Sequence, residues 1–291
     1  MKLPLFTSCA TALVTPFLGN QINYPMLEQL LKRQMDAGIR AVVIAGTTGE
    51  SATLTDTEKL DLFRRAKEFV GENCMIIAGT GSNDTLHAAE LSEAAQDAGA
   101  DALLVVSPYY NKATPDGLYA HYLAIAHSVR IPVVLYNVPS RTGMDIPVSV
   151  YQRLSRVPNI AGVKEASGDI MKTARIIAAC EEDFYVWSGC DEMAVPAMAL
   201  GAKGVISVAS NAEPVQMKAM TDAVLAGDLD TAAALQIGML PLLDLLFCQV
   251  NPIPVKAAMK ILGFDCGGCR LPLTNLGQAE TEKLRKYFSQ H

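Results

Sequence analysis

The sequence predicts an α/β fold, a (β/α)8 barrel followed by a C-terminal helical domain. Three observations predict it: eight short apolar, β-branched runs, a stretch of helical spacing after each run, and several helical stretches in succession at the end. A chain of 291 residues is long enough for one such barrel with an addition. An open doubly wound sheet usually has fewer strands, so the barrel is the better match.

The eight apolar runs are the predicted strands of the barrel. They are Ser8–Val14, Ala41–Ala45, Met75–Ala78, Ala102–Val106, Pro132–Tyr136, Ile160–Lys164, Tyr185–Ser188 and Val205–Val208. Between them apolar residues recur at helical spacing, and the alanine-rich stretch Leu86–Ala98 closes on Gly99, a helix-ending residue. Strand therefore alternates with helix, and no linker rich in Pro or Ser interrupts the alternation.

The end of the chain is predicted to be helical only. The expected helices are Glu213–Ala226, Leu229–Phe247, Pro254–Leu262 and Asn275–Phe288. Gly227 is a turn signal and Asp228 a helix N-cap, so we place the domain boundary there. Residues 1–226 form the barrel with the active site, and residues 227–291 form a helical domain that packs on the barrel or on a neighbouring subunit.

Composition and charge exclude several classes of protein. Half of the residues are hydrophobic, which excludes a disordered chain. The 24 Lys+Arg and 30 Asp+Glu residues give a net charge of −6 without a basic run, so nucleic acid and anionic membranes are not expected partners. The sequence contains no run of about 18 uninterrupted apolar residues, so no membrane-spanning helix is predicted. Pro4 and Ser8 interrupt the N-terminal apolar run, which argues against a signal segment. The seven cysteines are an odd number, which favours reduced thiols in the cytoplasm.

The second strand ends in a glycine-rich turn, Gly46–Ser51. Thr47 and Thr48 lie between two glycines that let the backbone approach a bound anion. The alternative interpretation is an ordinary glycine-rich turn. The turn is not a P-loop, because no lysine follows its second glycine.

Lys164 on the sixth strand is the most informative residue. Alternation places Gly162, Lys164 and Ala166 on one face, where small residues flank the lysine. If that face is the barrel interior, loss of water makes the free amine available to attack a carbonyl. In the alternative, Lys164 faces the helices and extends its ammonium to water.

The fourth and fifth strands end in further polar and aromatic residues. Tyr136 lies at the end of the strand next to that of Lys164, where a phenol can transfer protons, and Arg141 can bind a carboxylate. Singly, Tyr136 is more often a packed aromatic and Arg141 a solvated loop charge. Tyr109 and Tyr110 follow Pro108 and could line an interface or a site, or be surface aromatics.

No metal ion and no cofactor are expected. Cys266 and Cys269 form a CxxC motif, which could be half a zinc site, a redox pair or a glycine-rich turn holding two thiols. No second ligand pair accompanies it, and the four histidines lack ligand spacing. The turn is therefore the favoured interpretation.

Five segments together resemble the dihydrodipicolinate synthase family. They are Gly46–Glu50, Pro108–Asn111, Tyr136–Gly143, Val163–Ala166 and Asn251–Lys256. They span nearly the whole chain in the family's order. N-acetylneuraminate lyase and the keto-deoxy-sugar aldolases share the lysine and the turn, whereas the arginine of the Arg-Thr-Gly step, here Arg141, is typical of the synthase.

The resemblance implies a (β/α)8 barrel that condenses pyruvate with L-aspartate 4-semialdehyde at the entry of the diaminopimelate route to lysine. It implies Lys164 as the Schiff-base nucleophile and a proton relay of Tyr136, Thr47 and Tyr110, the last supplied across a tight dimer interface. It further implies that Thr48 binds the pyruvate carboxylate and Arg141 the semialdehyde carboxylate, with Gly189 and Ile206 lining the pocket. The expected assembly is a homo-oligomer, a dimer of tight dimers.

The chain departs from the family pattern at one expected site. Ser51, Ala52, Asn83 and Tyr109 match an allosteric site for the end product lysine. Where sensitive members have two histidines and a glutamate, this chain has Asp56, Lys59 and His87. Lys59 would repel an incoming lysine ammonium, so we expect weak or absent feedback inhibition.

Two other functions compete with this interpretation. A sugar-acid aldolase of the same superfamily would form the same lysine adduct, and only the accepted substrate separates the two. A barrel that merely binds a small acid as a sensor is disfavoured, because a sensor does not need an interior amine beside a phenol.

Overall fold

Eight parallel strands close into a barrel in the computed structural model, which describes residues 3–290. Each strand pairs with the strand that follows it in the chain, and the last one pairs with the first. The strands are β1 (Ser8–Ala12), β2 (Ala41–Ile44), β3 (Met75–Gly79), β4 (Ala102–Val106), β5 (Val133–Asn137), β6 (Ile160–Glu165), β7 (Tyr185–Ser188) and β8 (Gly204–Ser207). The predicted (β/α)8 barrel is confirmed.

Helices surround the barrel. Those between or directly after the strands are α1 (Tyr24–Asp36), α2 (Asp56–Val70), α3 (Thr85–Asp97), α4 (Pro115–Ser128), α5 (Pro139–Thr142), α6 (Val148–Leu154), α7 (Ile170–Ala179), α8 (Ala194–Ala199) and α9 (Pro214–Leu225). The C-terminal helices are α10 (Leu229–Leu246), α11 (Ile253–Ile261) and α12 (Gln278–Gln290). A short hairpin pairs Phe17–Leu18 with Gln21–Ile22.

Polar caps fix where several helices begin. The Thr55 hydroxyl accepts from the Glu58 amide while the Glu58 carboxylate accepts from the Thr55 amide, a capping box at the start of α2. Asp84 caps α3 through the amides of Leu86 and His87. These caps satisfy amides that have no partner within the helix.

The barrel has two apolar cores, one on each face of its strands. Between strands and helices lies a large cluster of branched residues such as Val42, Leu103 and Leu135. Inside the barrel lies a smaller cluster, made of Ala10, Ala12, Ala41, Val43, Ile77, Ala102, Leu104, Val134, Tyr136, Val138, Ala161, Tyr185, Trp187 and Ile206. Successive strand residues point to opposite faces, so each strand contributes to both cores.

A bulge at the start of β6 sets which of its residues point inward. Ile160 pairs with Val133 but Gly162 pairs with the next residue, Val134, so Ala161 is the extra residue. Gly162 has φ +154°, and a Cβ there would lie 1.9 Å from the Tyr185 carbonyl oxygen. Only glycine fits this position, and it allows β6 to run on with Lys164 opposite Tyr136.

Most predicted boundaries agree with the structure to within one residue; the three exceptions are the end of β1 and both ends of the last helix, which ends at Gln290 rather than Phe288. β1 ends at Ala12 rather than Val14, because the Val14 amide donates to the Asn211 side chain instead of a strand. The last helix begins at Gln278 rather than Asn275. Its first carbonyl is that of Gly277, which accepts from the Thr281 amide.

Helix α10 differs from expectation in its apolar character. In the part of the chain that the structure describes, it is the one helix whose length and composition would suffice to cross a membrane, although Asp230 and Asp244 interrupt its apolar run. It packs against α8, α9, α11 and α12. The expected boundary between residues 226 and 227 falls in the turn between α9 and α10 and stays a prediction.

Candidate active site

A cavity of about 760 Å³ opens where the strands of the barrel end. Thr47 follows β2, Tyr136 lies near the end of β5, and Arg141 lies in α5 directly after β5; all three line the cavity. The C-terminal part of the chain adds Val250, Asn251, Pro272 and Leu273 to its wall. The predicted residues at the strand ends therefore face one common space.

Lys164 does not line this cavity itself but lies against the ring of Tyr136, which does. Its Nζ is 4.4 Å from the ring centroid, and the residue is 5% exposed. Among the residues that the structure describes, Lys164 forms no ion pair. Its partner in the β5–β6 register is Tyr136, which belongs to the inner core, so the lysine is on the interior face, the first of the two positions that the sequence left open.

Gly189 and Ile206 lie on the same side of the barrel as this amine. A Cβ on Gly189 would lie 3.0 Å from Cε of Lys164 and 2.6 Å from Cβ of Ala166. Glycine thus leaves the room that the lysine side chain occupies. Ile206 is fully buried in the inner core, and neither residue lines the cavity itself.

Asn251 links the turn after β2 to the loop after β5. Its Nδ2 donates to Oγ1 of Thr48 at 2.9 Å, which leaves the Thr48 O–H available as a donor. Its carbonyl accepts from Nη2 of Arg141 at 3.2 Å. Its Oδ1 is buried without a hydrogen-bond partner among residues 3–290. Thr48 itself is buried and does not line the cavity.

A buried ion pair anchors the turn that carries the two threonines. Oε1 of Glu50 lies 2.8 Å from Nζ of Lys256, and their side chains are 1% and 3% exposed. The other oxygen, Oε2, accepts from the Arg270 amide, and Lys256 also donates to the Gly268 carbonyl. Glu50 has φ +58°, a left-handed conformation that a non-glycine residue rarely adopts.

Tyr110 does not line this cavity. It is 91% exposed and has φ +71°, whereas its neighbour Tyr109 is 39% exposed and lines the cavity. An aromatic side chain held in strained backbone on a surface is a common feature of contact sites. Within the described subunit, Tyr110 is thus not brought to Lys164, Tyr136 and Thr47.

The expected allosteric residues line the outer part of the same cavity. Ser51, Ala52, Asn83 and Tyr109 belong to its wall, with Asp56, Lys59 and His87. Oδ2 of Asp56 bonds Nε2 of His87 at 2.7 Å, and Oδ1 lies 3.4 Å from Nζ of Lys59. Partial burial alone would raise the pKa of Asp56. The hydrogen bond from His87 and the charge of Lys59 together outweigh this effect, so the pKa of Asp56 lies below its usual value.

The cysteine pair lies away from the reactive groups. Cys266 and Cys269 are free thiols, and burial raises the pKa of Cys266 to about 12 and that of Cys269 to about 11. Neither lines the cavity. Within residues 3–290, no group of three His, Cys, Asp or Glu side chains is arranged to hold a metal ion.

The sequence analysis missed the contacts that hold the site together. Glu50 and Lys256 both lie in segments that carry the resemblance, but they are 206 positions apart and nothing local connects them. The same holds for Thr48 and Asn251. No spacing pattern in the sequence could have revealed either pair.

Comparisons with known proteins agree on one family. The model of the Dihydrodipicolinate synthetase family matches residues 5–291. A 4-hydroxy-tetrahydrodipicolinate synthase of Acetivibrio thermocellus is 45% identical over 286 residues, 98% of this chain and 97% of that protein.

Two solved structures of this family show the same fold. The dihydrodipicolinate synthase of Bacillus anthracis is 41% identical, with a TM-score of 0.96 and coverage of 99% of both chains. A monomeric dihydrodipicolinate synthase variant is 37% identical, with a TM-score of 0.96, covering 98% of this chain and 96% of that one. From the match over nearly its full length and from these likenesses, we conclude that the chain belongs to the dihydrodipicolinate synthetase family.

Proposed function

We propose that the chain condenses pyruvate with L-aspartate 4-semialdehyde to give 4-hydroxy-tetrahydrodipicolinate, the first committed step of lysine biosynthesis through diaminopimelate. The observation that carries the proposal is the position of Lys164, a buried amine that forms no ion pair among the described residues and lies over the ring of Tyr136, which lines the cavity. The name of the Acetivibrio relative supports the same reaction.

The chemistry begins at Nζ of Lys164. The free amine adds to C2 of pyruvate, and the former keto oxygen leaves as water, which gives an iminium. The cationic nitrogen withdraws electrons, so C3 loses a proton and the enamine forms. C3 then attacks the aldehyde carbon of the second substrate, whose amino group adds to C2, displaces Lys164 and closes the six-membered ring.

The cavity offers groups for the proton transfers and for the carboxylates. Tyr136 contacts the amine and lines the cavity together with Thr47, so both are suited to carry protons between Lys164 and substrate. Thr48 does not line the cavity itself, but its O–H, which Asn251 leaves free to donate, is the group proposed for the pyruvate carboxylate. Arg141 presents its guanidinium to the cavity and is suited to bind the semialdehyde carboxylate. These roles need no cofactor or metal, and the proposed compartment is the cytoplasm.

Substrate choice tests the reaction against the sugar-acid alternative. We expect pyruvate to be consumed with L-aspartate 4-semialdehyde, and not with N-acetylmannosamine or in cleavage of N-acetylneuraminate or a keto-deoxy acid. A variant of Arg141 tests the same substrate choice from the side of the protein. Arg141→Ala should raise KM for the semialdehyde about tenfold or more with little change in KM for pyruvate. Faster turnover of a sugar acid would support the aldolase instead.

A second prediction concerns Tyr110 and the assembly of the protein. Because Tyr110 is exposed in its own subunit, we expect it to complete the site of a neighbouring subunit in a tight dimer, two of which form a tetramer. Tyr110→Phe and Lys164→Ala should each be nearly inactive alone. Random mixing by co-expression should restore about a quarter of the sites, because half of the symmetric dimers are then hybrids with one intact site.

The matched control for this mixing experiment is co-expression of a chain carrying Tyr136→Phe with a chain carrying Lys164→Ala. Tyr136 and Lys164 belong to the same subunit's site, so no hybrid dimer can restore activity. Recovery in the control but not with Tyr110→Phe would contradict a role for Tyr110 in the neighbouring subunit.

Feedback inhibition by lysine should be weak or absent. Lys59 is largely buried in the wall of the outer cavity, where its ammonium would repel that of an incoming lysine. A steady-state assay should show little inhibition by submillimolar lysine, and Lys59→Ala should increase it. Lys67→Ala, on the same helix but paired with Asp101, is the control that should change nothing. Strong inhibition of the unmodified protein would contradict the prediction.

A further inference from the structure

The two residues that follow Tyr136 and Lys164 form a pair of their own. Asn137 and Glu165 end β5 and β6 and pair in register directly after Tyr136 and Lys164. Because successive strand residues alternate, they point out of the barrel toward the helices. Both are buried, Asn137 completely. A polar pair in this place needs hydrogen-bond partners, and it has them.

The Asn137 side chain joins three separate points of the chain. Its Nδ2 lies 3.1 and 3.0 Å from the two carboxylate oxygens of Glu165 and 2.8 Å from Oδ1 of Asp145. Its Oδ1 accepts from the Ile146 amide at 3.1 Å. Since the Ile146 amide can only donate, this bond fixes the orientation of the amide group, with its nitrogen toward the carboxylates.

These bonds close the loop that carries Arg141. Residues 138–144 leave β5 directly after Asn137 and return at Asp145 and Ile146, which the Asn137 side chain binds. Val138, Arg141 and Thr142 of this loop line the cavity. One amide group therefore sets both the register of β5 against β6 and the base of the loop.

The charges around Asn137 make the amide hard to replace. Lys172 forms an ion pair with Asp145, and Glu165 accepts from the Ser167 amide at 2.8 Å and from the Tyr151 hydroxyl at 3.5 Å. The Asp145 side chain is 55% exposed and pairs with Lys172, whereas Glu165 is buried and feels the charge of Lys172 without forming an ion pair with it. Burial raises the pKa of Glu165, although bonds from Ser167 and the charge of Lys172 oppose the rise.

We propose that Asn137 is a positioning residue, which holds Lys164 opposite Tyr136 through Glu165 and holds Arg141 over the cavity through the closed loop. This role rests on the proposed function, because it concerns the same amine and arginine. It predicts that the donor–acceptor pattern between positions 137 and 165 matters for catalysis, beyond its contribution to stability.

A swap of the two side-chain types tests this pattern. Asn137→Asp places a third carboxylate against Glu165 and Asp145, and should lower kcat/KM and the rate of pyruvate trapping by borohydride at Lys164 about 10- to 100-fold. KM for the semialdehyde should also rise. Adding Glu165→Gln restores a donor facing an acceptor and should recover at least about tenfold of the loss.

Asn159→Asp is the matched control. Asn159 is a partly buried asparagine at the other end of the barrel, where its Nδ2 donates to the carbonyls of Ala126 and Val129. The Asn159→Asp substitution should lower the melting temperature without changing the rate of pyruvate trapping at Lys164. If Asn137→Asp does not fold, Asn137→Ala takes its place: it removes both the donor to Glu165 and the acceptor of the Ile146 amide, and should lower the trapping rate where Asn159→Asp does not.

The outcomes separate the two proposals. Wild-type kcat/KM in Asn137→Asp, or no recovery in the double variant, overturns the positioning role alone. Failure of the unmodified protein to form a reduced pyruvate adduct on Lys164 overturns the proposed function and the positioning role with it.

Discussion

Pyruvate and borohydride together should add one reduced pyruvate to each chain, on Lys164, and Lys164→Ala should lose both this adduct and at least about 10³-fold in kcat. The amine is buried against Tyr136 and forms no ion pair among the described residues. Peptide mapping by mass spectrometry locates the adduct, and a steady-state assay measures the loss.

Other buried lysines of the chain make the expected selectivity a demanding test. Lys256 pairs with Glu50, Lys172 with Asp145, and the side chain of each is less than a tenth exposed. An ion-paired ammonium is a poor nucleophile, because its lone pair is protonated. We therefore expect no adduct on either of them.

Lys203→Ala is a matched control for the loss of activity. Nζ of Lys203 also lies over an aromatic ring, 5.8 Å from the centroid of Tyr185, but Lys203 directly precedes β8 and so lies at the opposite end of a strand from Lys164. It should keep both the adduct and the activity. Adducts spread over several lysines, or an active Lys164→Ala, would be incompatible with the proposed mechanism.

Lys256→Met should destabilise the protein by about 3 to 5 kcal/mol, because it leaves the Glu50 carboxylate buried without its counter-ion. At roughly 2 to 4 °C per kcal/mol, the melting temperature should fall by about 6 to 20 °C. Glu50 ends the turn that holds Thr47 and Thr48, so the remaining folded protein should also lose activity. Thermal unfolding and kcat measured below the transition separate the two effects.

The same helix supplies the control. Lys260 pairs with Asp265 at 3.0 Å, but both side chains are more than half exposed, so Lys260→Met should cost less than about 1 kcal/mol. Glu50→Gln together with Lys256→Met removes both charges and should recover part of the stability lost in Lys256→Met alone. An equal cost for Lys256→Met and Lys260→Met would show that the buried pair does not anchor the turn.

Local patterns were enough to predict the strands and to place Gly162, Lys164 and Ala166 on one face of the sixth strand, because strand residues alternate. Which face is the barrel interior was left open, and the structure places it with Val134 and Tyr136 of the inner core. The bulge at Ala161 was not predictable. It precedes Gly162, the one position where the backbone approaches Tyr185 too closely for a side chain, and the spacing from Gly162 to Lys164 stayed intact.

The sequence by itself determined the alternation of strands and helices, the common face of Gly162, Lys164 and Ala166, and the placing of Thr47 and Arg141 after strand ends, because each depends on residues a few positions apart. Only the tertiary structure decided that Lys256 neutralises Glu50, that Asn251 joins Thr48 to Arg141, and that Tyr110 does not line the cavity. The physical reason is that these contacts form where the C-terminal segment returns to the strand ends, about 110 to 206 positions along the chain, and no local periodicity encodes where a chain returns.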